Sequence, residues 1–170
     1  MNDTLSTLAA LGVDPFAPEA LHPVVDPNVR EWRLVIPGEP VAKGRPKFRQ
    51  IKTATKDFVS TYTPKKTARY EDRVRYAAQQ EWNRPLLRDT AISACIFAYR
   101  SIPSSFSRLK TQAAILGTVR PITRPDFDNY AKIAVDALNE IVYADDSAIV
   151  DCFARKFYSL NPRMEIVLTW

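Results

Sequence analysis

The side chains in this sequence that could do chemistry are concentrated in one short segment. Residues 124–146, called the acidic segment below, hold five aspartates and one lysine: Asp126, Asp128, Lys132, Asp136, Asp145 and Asp146. The segment has no His or Cys, and carboxylate oxygens are the protein ligands that Mg²⁺ takes, together with water and substrate phosphate. Aspartates also cap helices and form solvated turns. The residue types therefore leave a divalent-metal site and a purely structural role open.

The flanking pattern predicts a loop, then a helix, then a turn. Pro125 disfavours helical backbone at Arg124, and either Asp128 or Asn129 can cap the helix that follows. The apolar residues then recur at the spacing of one helix face: Tyr130, Ile133, Ala134, Ala137, Leu138 and Ile141. A pair of aspartates marks a turn before a β-rich run.

Three charged residues fall off that apolar face at intervals of four. Lys132 follows Asp128 and precedes Asp136, so these three residues, called the polar row below, can align along the helix. Asp126 and Asp128 are two residues apart, and in extended backbone their side chains would point the same way. The loop, the helix and the turn could therefore bring the carboxylates together.

The rest of the chain predicts a single small α+β domain, a mixed β-sheet of about four strands with helices packed on it. Four runs have strand character: residues 32–36, 90–99, 148–158 and 164–170. One helix begins with Thr63 as its cap and Pro64 at its first position, and ends near Asn83. Another, within residues 101–120, has apolar side chains at helical spacing: Phe106, Leu109, Ala113 and Leu116.

The composition is that of an ordinary globular chain. Of 170 residues, 46% are hydrophobic and 25% are charged, which fits one domain. No apolar run approaches the roughly 18 residues of a membrane helix, and the N-terminus lacks the basic cluster of a secretory signal, so we expect a cytoplasmic protein. Cys95 and Cys152 lie in apolar runs and are expected to be buried free thiols. With the single His22 they are too few for a structural zinc site.

Positive charge is concentrated in residues 43–75, called the basic segment below. It carries eleven Lys or Arg and three acidic residues, a net charge of +8, whereas residues 1–42 have a net charge of −4. This distribution indicates a nucleic acid as partner, and a solvated basic surface is the alternative. The candidate DNA-binding residues are Lys43, Arg45, Lys47, Arg49, Lys65, Lys66, Arg69, Arg73 and, in the acidic segment, Arg124.

Residues 43–56 of the basic segment predict a long mobile loop or a ragged hairpin, because Gly44 and Pro46 break any helix there. Three aromatic residues are interleaved with the positive charges: Phe48, Phe58 and Tyr62. Their rings could stack on unpaired bases. The alternative, which is favoured for any single ring, is that they anchor the segment to the core.

The first 30 residues differ from the rest of the chain. They contain four prolines, and Leu5, Leu8 and Leu11 could form one or two short helical turns. We expect a weakly ordered N-terminal extension there and place the folded domain at residues 31–170.

The acidic segment resembles a known family. Three of its runs occur in the order of the signature of the RusA family of Holliday junction resolvases: residues 125–132 (Pro-Asp-Phe-Asp-Asn-Tyr-Ala-Lys), 136–139 (Asp-Ala-Leu-Asn) and 142–146 (Val-Tyr-Ala-Asp-Asp). Residues 36–46 and 62–66 also look like members of this family. The resemblance extends over about residues 32–170.

The resemblance implies a crossover junction endodeoxyribonuclease, a hydrolase that resolves Holliday junctions by paired nicks in DNA recombination and repair. Mg²⁺ is the implied cofactor, with Mn²⁺ as a substitute. The implied partners are branched four-way DNA and a second copy of the chain, because a two-fold homodimer suits a two-fold substrate. Members occur often in phages and prophages, which suggests a role in phage DNA processing.

The resemblance also assigns residues. Asp126, Asp128 and Asp146 would be catalytic and hold the metal, and the adjacent Asp145 is a further candidate ligand. Lys132 would be catalytic by stabilising negative charge at the scissile phosphate.

Two further residues would support this site. Asp136 would orient Lys132, and Asn129 would support the start of the helix.

Four positions depart from the common family pattern. They are Glu140 in place of Gly, Ala148 in place of Gln, and Phe127 and Tyr130 in place of aliphatic residues.

Two other functions stay open from the sequence. One is a nuclease of the same fold that acts on other branched DNA, and the other is a junction-binding protein that does not cut. The intact set of three catalytic aspartates and one lysine argues against the non-cutting protein.

Overall fold

The computed structural model describes residues 29–52 and 57–170, and residues Glu31–Trp170 form one compact unit. The expectations for the N-terminal extension and for His22 lie outside the described residues, and the domain boundary near residue 30 stays a prediction. The strands are β1 (Glu31–Pro37), β2 (Lys47–Lys52), β3 (Asp57–Tyr62), β4 (Ile92–Ser101), β5 (Ile149–Ser159) and β6 (Arg163–Thr169). The helices are α1 (Lys65–Glu81), α2 (Arg108–Ile115), α3 (Phe127–Leu138) and a 3₁₀ turn (Asp146–Ala148).

Four of the strands form the main sheet, in the order β1-β6-β4-β5. The β1–β6 and β4–β6 pairs are antiparallel, whereas β4 and β5 run parallel. Strands β2 and β3 form a separate two-stranded hairpin, one of the two alternatives expected for residues 43–56. The predicted four-stranded mixed sheet with helices packed on it is thus confirmed.

One face of the main sheet carries the core. Alternate residues of β4, from Ile92 to Ala98, are fully buried there, together with residues of β1 and β6. Helices α1 and α3 cover this face and contact each other. The buried face of α3 consists of Tyr130, Ile133, Ala134, Ala137 and Leu138, which the spacing predicted. In the described ranges no helix is long and apolar enough to cross a membrane.

The starts of the helices differ from the expectation. Helix α3 begins at Phe127 with Asp126 in the cap position, so a cap at Asp128 or Asn129 is wrong. Asp126 has extended backbone but Asp128 is helical, so the expected extended pair does not exist. Pro64, with Thr63 before it, occupies the cap position of α1. Proline before a helix fixes the backbone direction without requiring a side-chain cap, which explains both starts.

The ends of α3 and the surfaces of two other elements also differ from the expectation. Helix α3 ends at Leu138, so Ile141 lies beyond it. Leu109 and Leu116 are about four-fifths exposed, because α2 buries Ala114 instead. Cys152 is exposed, since β5 is the edge strand of the sheet, and Cys95 is half-buried.

One departure from the family pattern, Glu140, lies in the turn after α3. Glu140 has φ of +62°, in the left-handed region that glycine adopts freely and other residues reach at a cost of roughly 1 kcal/mol. Its N–H donates to the Tyr143 carbonyl at 2.9 Å. The conformation is therefore kept by the turn even though a glutamate stands where glycine is common.

Candidate active site

Two carboxylates stand at the N-terminus of α3. Asp126 occupies the cap position, but its side chain makes no capping hydrogen bond, and Asp128 lies in the first helical turn. The partial positive charge of a helix N-terminus stabilises carboxylates in these positions. Because the helix does not use the Asp126 carboxylate as a cap, that group is left exposed for another partner.

Lys132 approaches the Asp128 carboxylate from the next turn of α3. Its Nζ lies 3.2 Å from Asp128 Oδ2, and both side chains are about half exposed. The Asn129 amide donates to the other carboxylate oxygen, Oδ1, at 3.2 Å. The structure therefore gathers Asp128, Asn129 and Lys132 into one group at the start of α3, with the positive charge one helical turn after Asp128.

The Asp145-Asp146 pair divides into two roles. Asp145 caps the 3₁₀ turn by accepting a hydrogen bond from the Ser147 N–H at 2.9 Å. Hydrogen bonds from the Ser147 side chain and backbone lower the pKa of Asp145. Burial raises the pKa of Tyr143, whose hydroxyl donates to the Val135 carbonyl of α3, and the charge of Asp146 adds to this shift.

The donor set of the acidic segment fits a hard divalent cation chemically, because it offers only carboxylate oxygens. Within residues 29–52 and 57–170, however, no three acidic, His or Cys side chains form a group that could hold a metal ion. The expected ligand set of Asp126, Asp128 and Asp146 is therefore not assembled in the protein alone. Mg²⁺ is often held by only one or two carboxylates, with water and substrate phosphate completing its coordination.

Asp136, at the far end of the polar row, contacts a residue of the basic segment. The Lys43 Nζ lies 2.8 Å from Asp136 Oδ2 on α3 and 2.7 Å from Glu71 Oε2 on α1. The Lys43 N–H donates to the Asn129 carbonyl at 2.8 Å. Lys43 thus ties the loop before β2 to both helices, while Lys132 pairs with Asp128 rather than with Asp136.

Substituting Lys43 by Met should destabilise the fold by about 1–2 kcal/mol. The change leaves two half-buried carboxylates facing each other, and their partial exposure limits the cost below that of a fully buried pair. Burial alone would lower the pKa of Lys43, but hydrogen bonds and charges from Asp136 and Glu71 raise it above its usual 10.5. The stabilisation is therefore complete at neutral pH and lost as pH rises through that raised pKa.

Urea unfolding of the wild-type and Lys43→Met proteins between pH 7 and 11 measures this difference in the free energy of unfolding. Lys65→Met, which removes an exposed lysine of α1, serves as the matched control. Equal stability of the two variants at pH 7 would show that the Lys43 ion pairs contribute nothing.

The other basic residues fall into three groups. Exposed side chains are those of Arg45, Lys65, Lys66, Arg69 and Arg124. Arg73 donates to the Pro37 carbonyl at the end of β1, so it braces the chain there. Lys47 and Arg49 lie on β2, and their side chains, like those of Phe58 on β3 and residues 53–56, lie outside what the structure describes. Phe48 and Tyr62 are exposed.

A cleft of about 380 Å³ joins the basic and acidic segments. Its lining includes Gly44 and Arg45 from the basic segment and Arg124, Asp126 and Asn129 from the acidic segment. Gly44 is required there, because an added Cβ would lie 2.8 Å from the Thr67 Oγ1, which accepts the Gly44 N–H. The cleft places positive side chains beside a carboxylate, an arrangement that can hold a phosphate group and a cation together.

Two basic residues near Asp126 were missed from the sequence. Lys156 of β5 donates to the carbonyls of Thr123 and Pro125, each at 3.0 Å. Arg100 of β4 contacts Thr123 and Arg124. Burial and the Arg100 charge lower the pKa of Lys156, and Asp126 opposes them. The sequence offered one sign of this role, because Lys156 is a charged residue inside the strand predicted at residues 148–158.

Comparisons with known proteins identify the family of this chain. Residues 37–169 match the family described as Endodeoxyribonuclease RusA. The uncharacterized protein YqaN of Bacillus subtilis (strain 168) is 36% identical over 140 residues, which cover 80% of this chain and 94% of that protein. A match over most of the chain, including the cleft and the whole acidic segment, shows that this protein belongs to the RusA family of endodeoxyribonucleases.

Proposed function

We propose that this protein is a Mg²⁺-dependent endonuclease that resolves Holliday junctions by paired nicks in opposed strands. The observation that carries the proposal is the group at the start of α3 in a RusA-family chain. There, Asp126 is not used as a cap, and Asp128 lies beside Lys132. RusA nucleases act on branched DNA and depend in general on divalent metals. The proposal names the metal as Mg²⁺, with Mn²⁺ as its substitute.

The proposed roles follow from charge and position. Asp126, Asp128 and Asp146 would hold the cation, with Asp145 less suited because it caps the 3₁₀ turn. The bound cation would supply a nucleophilic water and neutralise charge on the phosphate. Lys132 would donate hydrogen bonds to the non-bridging oxygens as negative charge develops there.

The proposed DNA contacts come from the cleft and the residues around it. Arg45 and Arg124 would bind phosphates next to the scissile bond, because both line the cleft that contains Asp126. The exposed lysines and arginine at the start of α1 would extend this track: Lys65, Lys66 and Arg69. Such contacts fix the position of the DNA without reading its sequence.

The proposal includes a homodimer that acts in the cytoplasm, where bacterial and phage DNA recombine. Two identical sites related by a two-fold axis would face the two opposed strands of a four-way junction. Each site would then make one nick, and a pair of symmetric nicks would release two duplexes.

Cleavage of a synthetic four-way junction, compared with a linear duplex of the same sequence, tests the proposal. The assay is run with Mg²⁺, with Mn²⁺ and with a chelator. We expect paired, symmetric nicks in the junction with either metal and no product with the chelator or from the linear duplex.

Two results would contradict the proposal in different ways. Tight junction binding without cleavage in any divalent metal would identify a binding protein that does not cut. Faster cleavage of a fork or a flap than of the junction would identify a nuclease for other branched DNA.

A further inference from the structure

We infer that Arg100 and Lys156, called the loop clamp below, are positioning residues that fix Asp126 for cleavage. This inference rests on the proposed function of Asp126. Residues 123–126 lead from the α2 connection into α3 and carry the first carboxylate of the site. Thr123 and Arg124 are exposed, so packing contributes little to holding this loop. Its position depends on hydrogen bonds.

The Lys156 side chain binds the backbone of this loop rather than its side chains. It lies on β5 next to Ala98 of β4, a core residue on the face that carries α3. Its Nζ donates to the Thr123 and Pro125 carbonyls at 3.0 Å each. An ammonium group has three donors, so two are used by carbonyls that flank Arg124. Hydrogen bonds from a charged group to two carbonyls fix the path of the chain into Asp126.

Arg100 binds the middle of the same loop. Its Nη1 lies 3.3 Å from both the Thr123 Oγ1 and the Arg124 carbonyl. Together with Lys156 it therefore engages the carbonyls of three consecutive residues before Asp126: Thr123, Arg124 and Pro125. A loop whose successive carbonyls are all bound has little freedom to move the residue that follows.

Glu39 holds Arg100 in place and links the clamp to the first family motif. Its carboxylate lies 3.5 Å from the Arg100 Nε and accepts the Ser101 N–H at 2.9 Å. It also accepts the Ser101 hydroxyl. The turn after β1 thus reaches the loop before α3 through Arg100, which gives residues 36–46 a role beyond DNA contact.

The clamp also sets the charge around Asp126. The charges of Lys156 and Asp126 attract each other, and Arg100 lies close enough to Lys156 to repel it. Clamp residues touch neither DNA nor metal in this scheme, so they act through Asp126.

The test compares Lys156→Met with Lys156→Arg and with Arg155→Met. The Met variant removes the two carbonyl contacts, the Arg variant restores a cation with several donors, and Arg155 lies next to Lys156 but on the opposite face of β5. We expect Lys156→Met to lower kcat on the junction by about 10- to 100-fold. The junction Kd should change by less than about threefold, and Lys156→Arg should recover part of kcat.

Backbone order at the loop provides a readout that does not require activity. NMR order parameters of the Thr123, Arg124 and Asp126 amides should fall from about 0.85 to below 0.6 in Lys156→Met and stay unchanged in Arg155→Met. Arg100→Met gives a second, independent variant in case Lys156→Met does not fold. Unchanged order parameters in a folded Lys156→Met or Arg100→Met protein would overturn the clamp.

The two proposals fail in different ways. If the wild-type protein cuts no branched DNA, the proposed function fails, while the loop order still decides whether the clamp exists. If the wild-type protein cuts and Lys156→Met matches Arg155→Met in kcat, the proposed function stands and the positioning role is wrong.

Discussion

Replacing Asp128 by Asn should reduce cleavage of a four-way junction by about 10²- to 10³-fold while junction binding persists. Asn keeps the shape of the side chain but removes the negative charge that would hold the cation. The charge lost is exposed, and its pair with Lys132 is an i,i+4 surface contact. The variant should therefore lose about 1 kcal/mol of stability or less. Single-turnover cleavage, combined with gel-shift binding in Ca²⁺, measures both effects.

Asp72→Asn is the matched control for Asp128→Asn. Asp72 is an exposed carboxylate of α1, so its variant changes the net charge equally at a position outside the acidic segment. The control should cut at the wild-type rate. Wild-type cleavage by Asp128→Asn would remove that carboxylate from the proposed mechanism.

Lys132→Met should lower kcat by about 10²-fold with little change in the melting temperature. Two interpretations of Lys132 predict different results here. A surface ion pair with Asp128 at 3.2 Å, about half exposed on both sides, contributes less than about 0.5 kcal/mol to stability and nothing to catalysis. A donor to the phosphate stabilises charge that develops only in the transition state, so its loss appears in kcat.

Single-turnover rates and thermal unfolding of Lys132→Met decide between these interpretations. Lys132→Arg is informative as well, because it keeps the charge but changes the position of the donors. A lower melting temperature with wild-type kcat would identify Lys132 as a structural residue only.

Helix α3 shows what the sequence could predict. Its buried face follows from the spacing of apolar residues alone, since helical periodicity is a local property of the chain. The strands of the main sheet were also predicted from a local property, the runs of apolar and β-branched residues along the chain. The start of α3 was not, because the competing side chains Asp126, Asp128 and Asn129 are all good caps, and the choice among them depends on the path of the preceding loop.

The contacts that shape the site could not be predicted, because they join residues far apart in the sequence. From the sequence, Lys43 was a candidate phosphate-binding residue. In the structure, the packing of α1 against α3 brings Glu71 and Asp136 next to it, and it pairs with both. Lys156 reaches the loop before α3 because β5 runs parallel to β4. Periodicity contains no information about which strand lies beside which.

The parallel pairing of β4 and β5 has a consequence for how such nucleases diversify. Neighbouring parallel strands need a long crossover, and here that one connection contains α2, the loop before α3, α3 itself and the 3₁₀ turn. Every candidate cleavage residue is thus inherited as one contiguous stretch. The β2–β3 hairpin and most of the basic residues belong to a separate connection, between β1 and β4. Among the described residues, the ion pairs that join this connection to the candidate site are those of Glu39 with Arg100 and of Lys43 with Asp136. Substitutions elsewhere in the connection can therefore change the candidate DNA contacts without altering the candidate cleavage residues.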